Sequence, residues 1–242
     1  MSDLRNVAVI LAGGTGLRVG SPVPKQLIEI AGQTVIEHTM AAFQDASGVD
    51  EIVIVMAPGH LRAVRKVLLD GRYDKVTQLL EGGSTRSESA TIALDAIGGR
   101  ECNVLLHDAA RPLVSQRIIS DVVDALARFD AVVTSVPVTD TIAASRPRGQ
   151  ALTVEDVVPR QALRRNQTPQ AFRRSVIAAA YERAWMDPEF AATDDCSVVV
   201  RYMPQVIVAV VPGEERNMKV TGPTDVQVAE LLMRIDAQGK PR

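Results

Sequence analysis

The chain has 242 residues, 46% of them hydrophobic and 3% aromatic, with a formal net charge of −2. That length suits one large α/β domain or two small ones, and the near-neutral charge excludes a broad nucleic-acid-binding surface. Cys102 and Cys196 form neither a metal-ligand spacing nor a disulfide framework, and no run reaches the roughly 18 apolar residues of a membrane span. With so few aromatics, the core must be built from Val, Ile, Leu and Ala, as in a parallel sheet flanked by helices. No charged leader precedes a long apolar segment, so a soluble, cytoplasmic protein is expected.

In chain order, residues 7–11 form an apolar β-branched run that reads as a buried strand. It empties into Gly13, Gly14 and Gly16, which let a backbone approach a ligand closely. Arg18 and Lys25 follow. Bare N–H groups beside two cations suit a polyphosphate. No Gly-Lys-[Ser/Thr] occurs for a Walker loop, and G-x-G-x-x-G fails by one residue because Val19 precedes Gly20. Two fixed cations suit a triphosphate with charge still to be neutralised. Thr34 and Glu37 then make a capping box for a helix to about Phe43. Residues 51–56 are a second strand, 58–69 a helix and 76–80 a third strand. The segment Glu81-Gly-Gly-Ser-Thr-Arg-Ser-Glu-Ser89 leads into a helix of small residues to about Ile97. Residues 103–107 are a strand that runs into Asp108, 114–129 a helix and 131–138 another strand. This alternation predicts a doubly wound, mostly parallel sheet with right-handed crossovers. Ligands in such sheets bind at strand carboxyl ends, where the glycine loop, Gly82-Gly83 and Asp108 all fall.

The alternation breaks over 139–167, where two short strands flank Arg146-Pro-Arg-Gly-Gln150, a hairpin signal with too little apolar surface for its own core. Beyond it, 171–185 reads as a helix. Residues 193–197 start a short helix ending near Tyr202, 206–211 are the last strand, and 224–235 are the closing helix. One domain over 1–236 with an arm at 139–167 is expected, and 237–242 read as a disordered tail.

The stretch Leu11-Ala-Gly-Gly-Thr-Gly-Leu-Arg18, followed by Pro24-Lys-Gln26, resembles the signature loop of Rossmann-like, glycosyltransferase-A-like nucleotidyltransferases. Pro-Lys-Gln is similar to their cytidylyltransferase branch, and the later motifs resemble the 2-C-methyl-D-erythritol 4-phosphate cytidylyltransferase family. The likeness runs over about residues 7–226. It implies transfer of a cytidylyl group from CTP to methylerythritol phosphate, with release of pyrophosphate. It also implies a homodimer in which the arm clasps a second subunit. Ribitol 5-phosphate cytidylyltransferases share most of the motifs and are the alternative.

Residue by residue, the resemblance implies that Arg18, Lys25 and Lys219 are catalytic. Leu11, Ala12, Gly13, Gly14 and Gly16 would hold the nucleotide with Arg18 and Lys25. Gly83, Ser84, Ser89 and Ala109 would complete that site, although Ser84 stands where many members carry Asp. Arg111, Thr141, Arg160, Thr168, Thr193 and Lys219 would bind the acceptor, together with Asp108. A carboxylate beside a triphosphate is also a ligand for Mg2+ or another divalent cation, by hard-oxygen preference. His107 precedes Asp108 on a strand, so it points to the opposite face and reads as structural. Arg86 reads as loop support or surface.

Overall fold

The computed structural model describes residues 4–13, 24–69 and 71–239. The elements are β1 (Asn6–Ala12), β2 (Glu29–Ile30), β3 (Gln33–Thr34), α1 (Val35–Gln44), β4 (Glu51–Met56) and α2 (Leu61–Leu68). They continue with β5 (Val76–Glu81), α3 (Arg86–Ile97), β6 (Asn103–Asp108), α4 (Gln116–Ala125) and β7 (Ala131–Pro137). The remainder are β8 (Ile142–Arg148), β9 (Ala151–Val158), β10 (Arg164–Arg173), α5 (Arg174–Trp185), α6 (Asp195–Tyr202), β11 (Val208–Pro212) and α7 (Pro223–Gly239).

Seven strands form one sheet in the order β11-β7-β10-β6-β1-β4-β5. All neighbours are parallel except β10, which runs antiparallel to both β6 and β7. Because side chains alternate across a strand, each central strand feeds two cores. Ile10, Ile54 and Leu105 pack with Met40 and Phe43 of α1 and Ile118 and Val122 of α4. Val9, Val53 and Leu106 pack with Leu94 of α3, Ile177 and Tyr181 of α5 and Val199 of α6. Each such side chain is fully or almost fully buried, which stabilises by about 1.5–3 kcal/mol before entropy is counted. A third, smaller cluster of Ile30, Val35, Leu113, Val220 and Ala229 docks α7.

The doubly wound, mostly parallel α/β expectation holds, with local differences, and the helix expected over 114–129 is shorter, at Gln116–Ala125. Helix α5 begins only at Arg174, and residues 164–173, which the sequence reads as the end of the arm, a short connection and the start of a helix, form β10. Its sequence, Arg-Arg-Asn-Gln-Thr-Pro-Gln, is polar and carries a proline, which argues against a central strand. The proline sits where the β10–β7 register shifts, between Asn166 and Gln170. Helix α2 starts at Leu61, after the expected 58, because Gly59 takes φ +78° in a preceding turn. Helix α3 starts at Arg86 behind a Thr85–Glu88 capping box, three residues before Ser89. Helix α7 runs through Gly239, so 237–239 are helical and not tail; no breaker precedes that glycine. Residues 240–242 lie outside the described residues.

The hairpin expected within 139–167 is present, while residues 164–167 belong to β10 of the central sheet. β8 and β9 pair only with each other among the described residues, around Gly149 at φ +61°.

Candidate active site

Three parallel strands deliver the site at their carboxyl ends. β1 opens into Gly13, β5 into Gly82-Gly83, and β6 ends on Asp108. A Cβ on Gly82 would lie 2.7 Å from Ser89 Oγ, and one on Gly83 would lie 2.4 Å from Glu88 Cβ. Only glycine lets this turn lie against the first turn of α3. There Thr85 Oγ1 accepts from Glu88 N, and the Glu88 carboxylate accepts from Ser84 N and Oγ at 2.6 and 2.8 Å. Ser89 is buried and donates to Thr85 O at 3.0 Å. Its oxygen lies close to both Gly13 and Gly82.

Asp108 is the centre. Its Oδ1 accepts from Arg86 Nε at 3.2 Å and its Oδ2 from Lys219 Nζ at 2.7 Å, with Arg111 Nε at 3.9 Å. Burial by itself would raise this carboxyl's pKa. The charges of Arg86, Lys219 and Arg111 overcome that and hold it well below the usual carboxylate range. Asp108 is therefore an anion and not a proton carrier at neutral pH. Arg86 also pairs with Asp195 at 2.6 Å. Burial opposes its charge, but Asp195 and Asp108 hold its pKa above the ordinary guanidinium value.

His107 points the other way, edge-on to Phe43 of α1 at 4.9 Å. Burial pushes its pKa down to about 3, so the ring is neutral. Its Nε2 faces Arg111 O at 3.2 Å, which can only accept, so Nε2 carries the hydrogen. Nδ1 then accepts from Thr168 Oγ1 at 3.0 Å, and that oxygen accepts from Asp108 N at 3.1 Å. Thr168 on β10 thus links His107 to the backbone of Asp108.

The Lys219 segment is fastened to β10. Gln167 Nε2 donates to Glu214 O at 2.8 Å, and buried Asn217 Nδ2 donates to Thr168 O at 2.9 Å. Arg111 Nη1 donates to Asn217 O at 2.8 Å, and Val220 N to Ala110 O at 2.8 Å. Arg111 is deeply set, and burial lowers its pKa from the free guanidinium value.

These groups line two adjoining lobes. One is bordered by Leu11, Gly13, Lys25, Ser84 and Ser89. The other is bordered by Arg111, Arg164, Thr168 and Thr193. Arg86, Asp108 and Lys219 border both. Two anionic ligands entering from opposite sides would meet over that triad. A separate hollow at the amino ends of β1 and β6 has its amides paired internally, Asn103 Nδ2 to Asn6 Oδ1 at 2.7 Å and Arg173 Nη1 to Asn103 Oδ1 at 2.6 Å.

The expected residues are therefore only partly assembled. Lys25, Leu11, Gly13, Ser84, Ser89, Asp108, Arg111, Thr168, Thr193 and Lys219 border the lobes. Ala12 and Ala109 have their side chains in the core beneath α1, and Ala110 borders the cleft instead. Gly83 shapes the turn. Thr141 and Arg160 are exposed at the base of the arm, Arg160 donating to Thr139 O at 2.6 Å, and neither borders the lobes. Gly14, Gly16 and Arg18 lie outside the described residues. Arg86 is the main residue the sequence reading missed. The Thr85-x-x-Glu88 signal would have placed it at the first helical position, pointing at the strand ends. Among the described residues no three His, Cys, Asp or Glu side chains converge as a metal cluster, and no helix is long and apolar enough to cross a membrane.

Comparison with known proteins shows the family. Residues 6–235 match the sequence profile of the family described as IspD, 2-C-methyl-D-erythritol 4-phosphate cytidylyltransferase. The enzyme of that name from Thermobifida fusca (strain YX) is 50% identical, over 95% of this chain and 94% of its own. A bifunctional ribulose 5-phosphate reductase/CDP-ribitol pyrophosphorylase from Haemophilus influenzae is 35% identical, but this chain covers 49% of its length. The crystal structure of 4-diphosphocytidyl-2C-methyl-D-erythritol synthase from Anaerococcus prevotii DSM 20548 superposes with a TM-score of 0.82 at 30% identity, covering 96% of both chains.

Proposed function

The chain belongs to the 2-C-methyl-D-erythritol 4-phosphate cytidylyltransferase family, and from that premise we propose how its two-lobed cleft joins CTP to methylerythritol phosphate with release of pyrophosphate. The observation that carries this reading is the triad of Arg86, Asp108 and Lys219 shared by both lobes. CTP occupies the lobe with Lys25, Gly13 and the α3 turn, its base against Gly83, Ser84 and Ser89. The acceptor phosphate occupies the lobe with Arg111, Thr168 and Thr193.

The attacking oxygen belongs to a phosphate that is already anionic, so no base is required. That suits a site whose carboxylate is ion-paired and whose histidine is neutral and turned away. The difficulty is to bring two polyanions together and to stabilise charge growing on the α-phosphate and the pyrophosphate. Lys25, with Arg18, meets that charge, while Arg111 and Lys219 hold the acceptor in line. Arg160 and Thr141, which do not border their own cleft, serve the site of a second subunit in a homodimer built through the arm.

A divalent cation, Mg2+ in the first instance, fits one carboxylate plus phosphate and water oxygens. Asp108 has one charge-assisted hydrogen bond on each oxygen, and a carboxylate has about four lone-pair sites. Asp108 would hold such an ion, which would neutralise triphosphate charge when bound. Asp108→Asn is expected to weaken the Mg2+ dependence of CTP binding by calorimetry; full retention of that dependence would remove Asp108 as a ligand.

The reaction itself is tested by pyrophosphate release from CTP with either methylerythritol phosphate or ribitol 5-phosphate. Higher kcat/KM with the former is expected. Preference for the latter would favour the pentitol reading.

A further inference from the structure

Behind the shared triad stands a buried carboxylate that takes no part in either lobe. Asp195, the first residue of α6, is fully buried. Its Oδ1 accepts from Tyr181 OH at 2.7 Å, and its Oδ2 lies 2.6 Å from Arg86 Nη2. The other end of the same guanidinium, Nε, donates to Asp108 Oδ1, and Lys219 closes the row on Oδ2. The order Tyr181, Asp195, Arg86, Asp108, Lys219 runs from the α5 core to the reacting centre, with charge alternating from Asp195 onward.

The two ends of Arg86 connect different walls. Arg86 begins α3, whose first turn borders the nucleotide lobe. Asp195 begins α6, and the residues just before it, Thr193 and Asp194, border the acceptor lobe. That wall is already tied to β10, since Asp194 Oδ2 accepts from Asn166 Nδ2 at 3.0 Å and Gln170 Nε2 at 2.8 Å. A guanidinium is planar and presents donors in a fixed fork, so anchoring one end fixes the direction of the other. An unanchored arginine beside a triphosphate would turn onto the phosphates.

The geometry points to Asp195 as a positioning residue for cytidylyl transfer: it holds Arg86 on Asp108, so that the carboxylate keeps one orientation between the two substrate lobes. This rests on the reading of the cleft given above. Asp195 touches no substrate and acts only through Arg86.

The test measures kcat and the KM of each substrate by pyrophosphate release, for the wild type, Asp195→Asn, Arg86→Lys and the double variant, each checked by thermal melting. Asp195→Asn is expected to lower kcat by about 10- to 100-fold, the scale of a misplaced catalytic group, without raising the KM for CTP. Lysine carries its charge at one point on a flexible stem and lacks the planar fork that spans the two carboxylates, so Arg86→Lys should resemble Asp195→Asn. Because both changes break one connection, the double variant should be no slower than Arg86→Lys alone. Multiplying losses, a defect confined to the KM for CTP, or an Asp195→Asn kcat within threefold of wild type would overturn the proposal. If Asp195→Asn does not fold, Tyr181→Phe carries the test: it removes one anchor bond and should lower kcat severalfold, whereas unchanged kcat rejects the idea. A wild-type enzyme inactive with CTP and every acceptor would instead reject the reading of the cleft.

Discussion

Asp108 and His107 are neighbours on β6 whose pKa values are both lowered, yet one is held charged and the other neutral because of the face each occupies. Asp108 meets cations, and its carboxyl stays ionised. His107 meets Phe43 and the α1 core, and burial holds its pKa near 3 against an ordinary value of 6.5. Between those values the unfolded chain binds a proton that the folded chain refuses. Stability must therefore fall as pH drops from about 6.5 toward 3, by up to about 1.4 kcal/mol per pH unit from this group. Urea unfolding at pH 7 and pH 5 should show that loss, and His107→Gln should flatten it. An equal slope in the variant would assign the loss elsewhere. Lys25 argues differently, from its place at the nucleotide lobe. Lys25→Ala should lower kcat by about 10²–10³, as lost charge stabilisers do; a change in KM alone would make it a ground-state binder. At this scale the sequence announced the face of His107 through strand alternation, and it placed Lys25 and Asp108 by motif. It did not announce Arg86, because one arginine in a Ser/Thr-rich turn looks like any solvated charge until its helix start is known.

Elements were most legible where apolar periodicity was strong. The strands β1, β4 and β6 carry Val, Ile and Leu on both faces, which is how a strand buried on both sides reads. β10 was illegible for the converse reason. Its central position is held by polar groups, with Gln167, Thr168 and Gln170 all buried and each hydrogen-bonded to a neighbouring segment. Such a strand spends its side chains on fastening the site and shows no hydrophobic alternation. The fastening depends on close approach at Gly213, where an added Cβ would lie 2.4 Å from Gln167 Oε1. Gly213→Ala should therefore displace Gln167 and loosen the loop that presents Lys219. We expect a loss of about 1–3 kcal/mol, as for other overpacked sites, with a raised KM for the acceptor and little change for CTP. Chemical denaturation and substrate-titrated pyrophosphate release measure the two effects. Wild-type stability with an unchanged acceptor KM would show that the loop does not rely on this contact.

At the scale of the whole molecule, the arm is the feature that one subunit does not explain. An isolated two-stranded hairpin is marginal in water, yet β8 and β9 leave Leu152 at 73% and Val154 at 66% exposure. The candidate acceptor ligands Thr141 and Arg160 sit at its base, away from both lobes of their own chain. A two-fold dimer would bury the apolar arm and carry each Arg160 to the partner's site. Lys25→Ala is defective in the body and Arg160→Ala in the arm, so each pure variant should be nearly inactive. In a mixed dimer one site collects both defects, while the other combines an intact body with an intact arm. Random exchange makes about half the dimers mixed, each with one good site of two, so activity should recover to about a quarter of wild type by the symmetry of a closed dimer. Native mass spectrometry of differently tagged subunits establishes that exchange has occurred. With exchange established, activity no higher than the mean of the two pure variants would place Arg160 in its own subunit's site or in none.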